Sequence, residues 1–208
     1  MYKRQGGSFD PIHHGHLRAA LESYQRLGLK NITFVPCYRH ALAKPLQATA
    51  VQRLHMLKLA IAGQSFFSLN ECELQQQSTS FMRDTLIQVV NENQQQKFAL
   101  IFGVDTFVDL QKWKQWQELL NYASIIVLHR PGYSIAKDHR MYTYLNQHRC
   151  TDEKAFLSQC NNSILLLSTP LLEISSSYIR QQIKARQNPC YLLPQAVIDY
   201  IVQEKIYD

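Results

Sequence analysis

Apolar residues recur along this chain with two alternating periods. Leu17, Ala20, Leu21, Tyr24 and Leu27 fall at i, i+3, i+4, i+7 and i+10, which predicts one face of a helix. Val51, Leu54, Leu57 and Ile61 follow the same rule and predict a second helix. Between and beyond them lie short runs rich in β-branched and aromatic residues, at 31–36, 66–69, 98–102, 125–128 and 164–167. Runs this short and this apolar read as strands buried on both faces. Strands alternating with helices predict an α/β fold: a doubly wound, mainly parallel sheet with helices on both faces. Its crossovers should be right-handed, and ligands should gather at the carboxyl ends of the strands. The stretch 131–163 is the least regular. It is expected to hold a helix over 140–148, and it allows a second small domain without requiring one. The length suits one domain over 1–208.

Composition narrows the class. With 46% hydrophobic and 18% charged residues the chain has material for a packed core, which excludes a disordered or fibrous protein. No apolar run is long enough to cross a bilayer, so no membrane partner is expected. The first ten residues have no apolar stretch behind their basic pair, unlike a secretory signal. Cysteines stand at 37, 72, 150, 160 and 190, an odd set with no Cys-x-x-Cys pair. That pattern argues against a disulfide framework or a zinc knuckle and points to a reduced, cytoplasmic setting, with Cys37 a small buried hydrophobe. The net charge of +6 suits anionic ligands such as nucleotides. No Lys/Arg block is present, so no nucleic acid polymer is expected as partner.

Chemistry concentrates in the string Gly6-Gly7-Ser8-Phe9-Asp10-Pro11-Ile12-His13-His14-Gly15-His16, just before the first amphipathic helix. Paired glycines let backbone N–H groups approach an anion without an intervening Cβ. His13 and His16, separated by one turn at a helix N-terminus, can donate hydrogen bonds to a phosphate whose charge changes during reaction. One histidine alone would be an ordinary surface residue. A metal-site reading lacks a third ligand at close spacing, so no metal is assigned to the protein itself. A second helix start is expected at Ile174-Ser175-Ser176-Ser177-Tyr178-Ile179-Arg180, where hydroxyls occupy capping positions and Arg180 can grip phosphate. Trp113 and Trp116, three apart on an expected helix, are by pattern alone core residues.

Together these strings resemble the cytidylyltransferase-like nucleotidylyltransferases, whose adenylyltransferases carry GGxFDPxHxGH and ISSTxIR motifs. Val51-Gln52-Arg53, His55-Met56-Leu57, Gly103-x-Asp105, Trp113, Arg130-Pro131-Gly132-Tyr133 and the stretch from Leu192 to Tyr207 extend the resemblance to bacterial nicotinate-nucleotide adenylyltransferase. The resemblance implies transfer of an adenylyl group from ATP, with Mg2+, to nicotinate mononucleotide, giving nicotinic acid adenine dinucleotide and pyrophosphate. It implies that Gly6, Gly7, Ser8, His13, His16, Gly103, Asp105, Ser176, Ser177 and Arg180 meet ATP, with His13, His16 and Arg180 catalytic. Lys44, Met82, Thr85 and Trp113 would meet the mononucleotide, Trp113 by stacking on the pyridine ring. Either a monomer or a homo-oligomer is compatible with the sequence.

Three places depart from the family pattern. The approach to the glycines is Tyr2-Lys3-Arg4-Gln5 rather than an apolar strand, which leaves open a poor strand, a later start than the natural one, or an altered end. The loop after Pro36 carries His40-Ala41-Leu42-Ala43-Lys44 where Pro-Pro-His-Lys/Arg is usual, with Lys44 or Arg39 left to replace the charge. Met82 stands where a threonine usually helps recognise the nicotinate carboxylate. Rival readings are adenylation of nicotinamide mononucleotide or phosphopantetheine, a class I aminoacyl-tRNA synthetase core, and a nucleotide-binding module without catalysis. The synthetase reading lacks its Lys-Met-Ser-Lys-Ser loop.

Overall fold

The computed structural model describes residues 2–40, 45–75, 79–93, 96–129, 135–158, 162–170 and 172–208. Its elements run β1 (Tyr2–Gly7), α1 (His14–Arg26), β2 (Asn31–Pro36), β3 (Arg39–His40), α2 (Ala50–Ile61), β4 (Phe67–Leu69), α3 (Cys72–Gln75), β5 (Thr79–Ser80), α4 (Met82–Glu92) and β6 (Phe98–Gly103). They continue with α5 (Val104–Asp109), α6 (Leu119–Tyr122), β7 (Ser124–His129), α7 (Arg140–His148), β8 (Arg149–Cys150), α8 (Glu153–Ser158), β9 (Ile164–Ser168), α9 (Ser176–Lys184) and α10 (Gln195–Gln203). The main sheet has the order β4-β2-β1-β6-β7-β9-β8, and β3 pairs with β5. Every strand pairing among the described residues is parallel.

The apolar strands are apolar throughout because both of their faces are covered. Along β6, Phe98, Leu100 and Phe102 belong to one buried cluster, and Ala99 and Ile101 belong to the other. In β7, Ile125 and Val127 face the first cluster and Ile126 and Leu128 the second. Helices α4, α5, α6 and α7 supply Leu86, Phe107, Leu120 and Met141 to one side. Helices α1, α2, α9 and α10 supply Ala20, Met56, Ile179 and Val197 to the other. This is the doubly wound α/β arrangement expected from the strand–helix alternation.

Local chemistry sets the helix ends. Thr49 and Gln52 close a reciprocal capping box at the start of α2. Helix α1 stops at Gly28, whose φ of 56° suits glycine, while the Leu29 N–H returns to the Tyr24 carbonyl at 3.0 Å.

Three expectations change. The polar approach 2–5 forms a full central strand, paired with β2 from Tyr2↔Asn31 to Gly7↔Pro36 and with β6 from Tyr2↔Phe98 to Arg4↔Leu100. Ladder hydrogen bonds are made by the backbone, so two parallel neighbours can hold a strand whose side chains do not advertise it. Val51, placed by periodicity on the buried face of α2, is 74% exposed, because the helix turns Arg53, Met56, Leu57 and Ile61 inward instead. Trp113 and Trp116 do not share a helix. Two 3₁₀ turns, Leu110–Lys112 and Trp116–Glu118, are separated by Gln115 in the left-handed region at φ 52°. The irregular stretch 131–163 contributes α7, as expected over 140–148, and places β8 at the sheet edge.

Candidate active site

The sheet order reverses direction between β1 and β6, the first strands of the two halves. Their pairing ends at Arg4↔Leu100, although β1 continues to Gly7 and β6 to Gly103. The strands therefore part toward their carboxyl ends, and ligands of doubly wound sheets bind in such a crevice. Gly6 and Gly7 form one lip. A Cβ on Gly6 would lie 2.7 Å from Met82 Cε, so the first residue of α4 rests its methyl group on this strand end. Gly7 accommodates the buried ring of Phe9 in the same way, at 3.1 Å.

From that lip the chain turns into α1. Phe9 takes φ 49° and buries its ring edge-on to Phe34 and His16. The Ser8 carbonyl accepts from Arg53 Nη1 at 2.7 Å, and Arg53 Nη2 reaches the Tyr38 carbonyl at 3.1 Å. Arg53 is 1% exposed, so a buried guanidinium holds the loop from beneath. Asp10, also buried, accepts from the backbone N–H groups of Gln47 at 2.9 Å and Ala48 at 3.0 Å.

His13 is the N-cap residue of α1 but does not cap it with its side chain. Its ring instead stacks on His16, with centroids 3.7 Å apart and planes at 27°. Gly15 makes this stacking possible, since a Cβ there would fall 2.9 Å from the His13 ring. Burial lowers the His13 pKa to about 2, assisted by repulsion from His16 and His14, and burial lowers His16 to about 4. Both imidazoles are therefore neutral near pH 7 and each can offer an N–H rather than a charge. Nδ1 of each is buried without a hydrogen-bond partner.

The start of α9 is stitched to the same turn. Ser175 caps the helix by accepting from the Tyr178 N–H at 3.2 Å. Ser176 Oγ donates to the Pro11 carbonyl at 2.9 Å, and Arg180 Nη1 donates to the Asp10 carbonyl at 2.5 Å. Arg180 Nη2 also meets Ser177 Oγ at 3.3 Å, whereas its buried Nε has no partner. Two helix N-termini, two neutral imidazoles and one arginine thus converge on a short turn. Such a set of donors is suited to phosphate oxygens, which only accept.

The other expected site residues stand on other elements. Gly103 caps α5 at the end of β6 with no atom near its missing Cβ, and Asp105 is exposed in the first turn of α5. Trp113 is half-buried and meets Phe102 edge-on at 5.6 Å. Thr85 is buried, and its hydroxyl donates to the Phe81 carbonyl at 3.3 Å, one turn back in the chain. Lys44 lies outside the described residues. Sequence reading assigned no role to Arg53 or Asp10. For Arg53 a signal existed: it stands three and four positions before Met56 and Leu57, in phase with the buried face of α2. Among the described residues no group of three or more His, Cys, Asp or Glu could hold a metal ion.

The model of the cytidylyltransferase-like family matches residues 5–182. The Methylococcus capsulatus protein named "Probable nicotinate-nucleotide adenylyltransferase" is 36% identical over 203 residues, covering 97% of each chain. A Cellvibrio japonicus protein of the same name is 38% identical, covering 97% of this chain and 96% of its own. The chain belongs to the nicotinate-nucleotide adenylyltransferases of the cytidylyltransferase-like family. A solved structure of Plasmodium falciparum nicotinic acid mononucleotide adenylyltransferase, complexed with NaAD, superposes with a TM-score of 0.76. It covers 100% of this chain and 97% of its own at 21% identity, which supports the common fold. The glycine lip, the stacked histidines and the start of α9 all lie within the residues that the family model matches.

Proposed function

We propose that this chain transfers the adenylyl group of ATP to nicotinate mononucleotide, forming nicotinic acid adenine dinucleotide and pyrophosphate in NAD biosynthesis. The observation that carries this reading is the neutral His13–His16 stack beside a turn that Arg180 holds through the Asp10 carbonyl, in a chain matched over 97% of its length by adenylyltransferases. A phosphate oxygen of the mononucleotide forms a bond to the α-phosphorus of ATP. The bond from that phosphorus to the bridging oxygen breaks, and its electron pair leaves on pyrophosphate. No covalent enzyme intermediate is required, so the protein works by positioning and by donors aimed at developing charge.

His13 and His16 donate to the ATP phosphates, with His16 stabilising the transferring group. Ser177, Arg180 and the backbone N–H of Ser176 hold the end that leaves, since the Ser176 hydroxyl already donates to the Pro11 carbonyl, and Gly6, Gly7 and Ser8 pass beneath the phosphates. Gly103 meets ATP, and Asp105 lies on the adenosine or the Mg2+ side. Trp113, Met82, Thr85 and Lys44 border the mononucleotide, with Thr85 acting through the position of α4 because its hydroxyl is already bonded within the helix. Nucleotidyltransferases of this family generally use a divalent metal with ATP. Mg2+ bound with ATP would neutralise phosphate charge. The whole chain, 1–208, acts as one domain in the cytoplasm. No helix of the described residues is long and apolar enough to cross a membrane.

The decisive experiment is pyrophosphate release with ATP and either nicotinate or nicotinamide mononucleotide. We expect kcat/KM to favour the acid, because an ionised carboxylate accepts stronger hydrogen bonds than an amide. Met82→Thr, which adds a hydroxyl at the lip beside Gly6, should widen that ratio. A ratio at or below one in the unmodified chain would overturn the acid assignment.

A further inference from the structure

The segment after α10 folds back on the turn that carries the site. Ile206 N–H returns to the Ile201 carbonyl at 3.0 Å, and Ile206 and Tyr207 enter the same buried cluster as Phe9 and Ile12. Tyr207, at φ 73° and 6% exposed, donates its hydroxyl to Asp10 Oδ1 at 2.7 Å. Asp10 is 2% exposed, and its two carboxylate oxygens already accept from the Ala48 and Gln47 N–H groups. Its backbone carbonyl receives Arg180 Nη1, which stands 3.9 Å from Oδ2 as well. One aspartate therefore joins the segment after α10, the entrance to α2 and the arginine of α9.

We propose that Tyr207 is a positioning residue for the ATP phosphates. Its hydroxyl fixes the Asp10 carboxylate, and the Asp10 turn in turn fixes Arg180 and the approach to His13. The inference rests on the adenylyltransferase reading for its kinetic consequence, but not for its binding consequence. A buried acceptor with three donors is held in one orientation, and removing a donor frees it to rotate or to draw Arg180 toward itself. Burial and the adjacent Asp10 carboxylate raise the Tyr207 pKa above its ordinary value, so the hydroxyl remains a donor at any working pH.

The test is Tyr207→Phe, which keeps the buried ring and deletes only the oxygen. Affinity for a non-hydrolysable ATP analogue, measured by calorimetry, should weaken about three- to tenfold, as should KM for ATP. KM for the mononucleotide should move by less than about twofold, since Met82, Thr85 and Trp113, assigned to that half, lie on α4 and beyond α5 rather than on the elements that Asp10 joins. In an Asp10→Asn background the same Tyr207→Phe change should have little further effect, because the two residues act as one unit. Unchanged analogue affinity would overturn the proposal. So would an equal rise in both KM values with a lowered Tm, or failure of Tyr207→Phe to fold, since either makes the hydroxyl a support of the fold alone. If the unmodified chain binds the analogue yet adenylylates no mononucleotide, the functional reading falls, and the analogue measurement still decides the role of Tyr207.

Discussion

His13 and His16 stack at 3.7 Å, and two unit charges at such a distance would repel by about 4 kcal/mol even at the effective dielectric of a protein surface. Neutral imidazoles are the state this spacing permits, in agreement with pKa values of about 2 and about 4. Two outcomes follow from that. His16→Ala should lower kcat by about 10²–10³ while circular dichroism and Tm stay close to the parent, because it removes a donor aimed at the transferring phosphate. A folded variant with nearly full kcat would remove His16 from the chemistry. The second outcome concerns stability. Both folded-state values lie below the ordinary 6.5, so the unfolded chain binds the extra protons as pH falls. Stability is fully present above about pH 6.5 and is lost as pH drops toward 4 for His16 and further for His13, at up to about 1.4 kcal/mol per pH unit for each. Denaturant unfolding of the ligand-free protein at pH 7, 6 and 5 measures the slope, and His16→Gln should flatten it. Equal slopes in the two proteins would mean that His16 is not held neutral by the fold.

Among the elements, α1 shows how a local preference yields to a site. Alanine is favoured over glycine in a helix by about 1 kcal/mol, so Gly15 near the start of α1 looks like a loss. Its missing Cβ makes room for the His13 ring at 2.9 Å, and that contact outweighs propensity. Gly15→Ala should therefore stay folded, because the group that must move is a side chain, yet lose most of its turnover. Thermal unfolding beside kcat checks this, and full activity in Gly15→Ala would show that His13 need not hold its stacked position. The same distinction explains which elements could be read from sequence. The strands 98–102, 125–128 and 164–167 were legible because burial on both faces leaves a continuous apolar run. β1 was not legible, since its place depends on neighbours on either side rather than on its own residues. The Trp113–Trp116 stretch was misread because spacing alone does not reveal the left-handed Gln115 that separates two short turns.

Across the whole molecule, the site exists only where distant parts of the chain meet. Arg180 donates to the carbonyl of Asp10 across 170 positions of sequence, and Ser176 reaches Pro11 across 165. Arg180→Ala should weaken kcat/KM for ATP by about tenfold or more, the range of a charge-assisted hydrogen bond, with less effect on the mononucleotide. An effect confined to the mononucleotide would move Arg180 to the other half of the site. By itself the sequence determined the α/β alternation, the phosphate-binding string from Gly6 to His16, and the hydroxyl-rich start of α9. Those are local matters: periodicity follows from which faces are buried, and the motif types follow from the donors a phosphate needs. Tertiary structure decided that β1 is central, that β1 and β6 part beyond Arg4 and Leu100, and that Arg53 and Asp10 are buried supports. It also brought Tyr207 onto Asp10. A buried charge is tolerable only when its partners are in place, and those partners are backbone groups and side chains that no nearby stretch of sequence supplies.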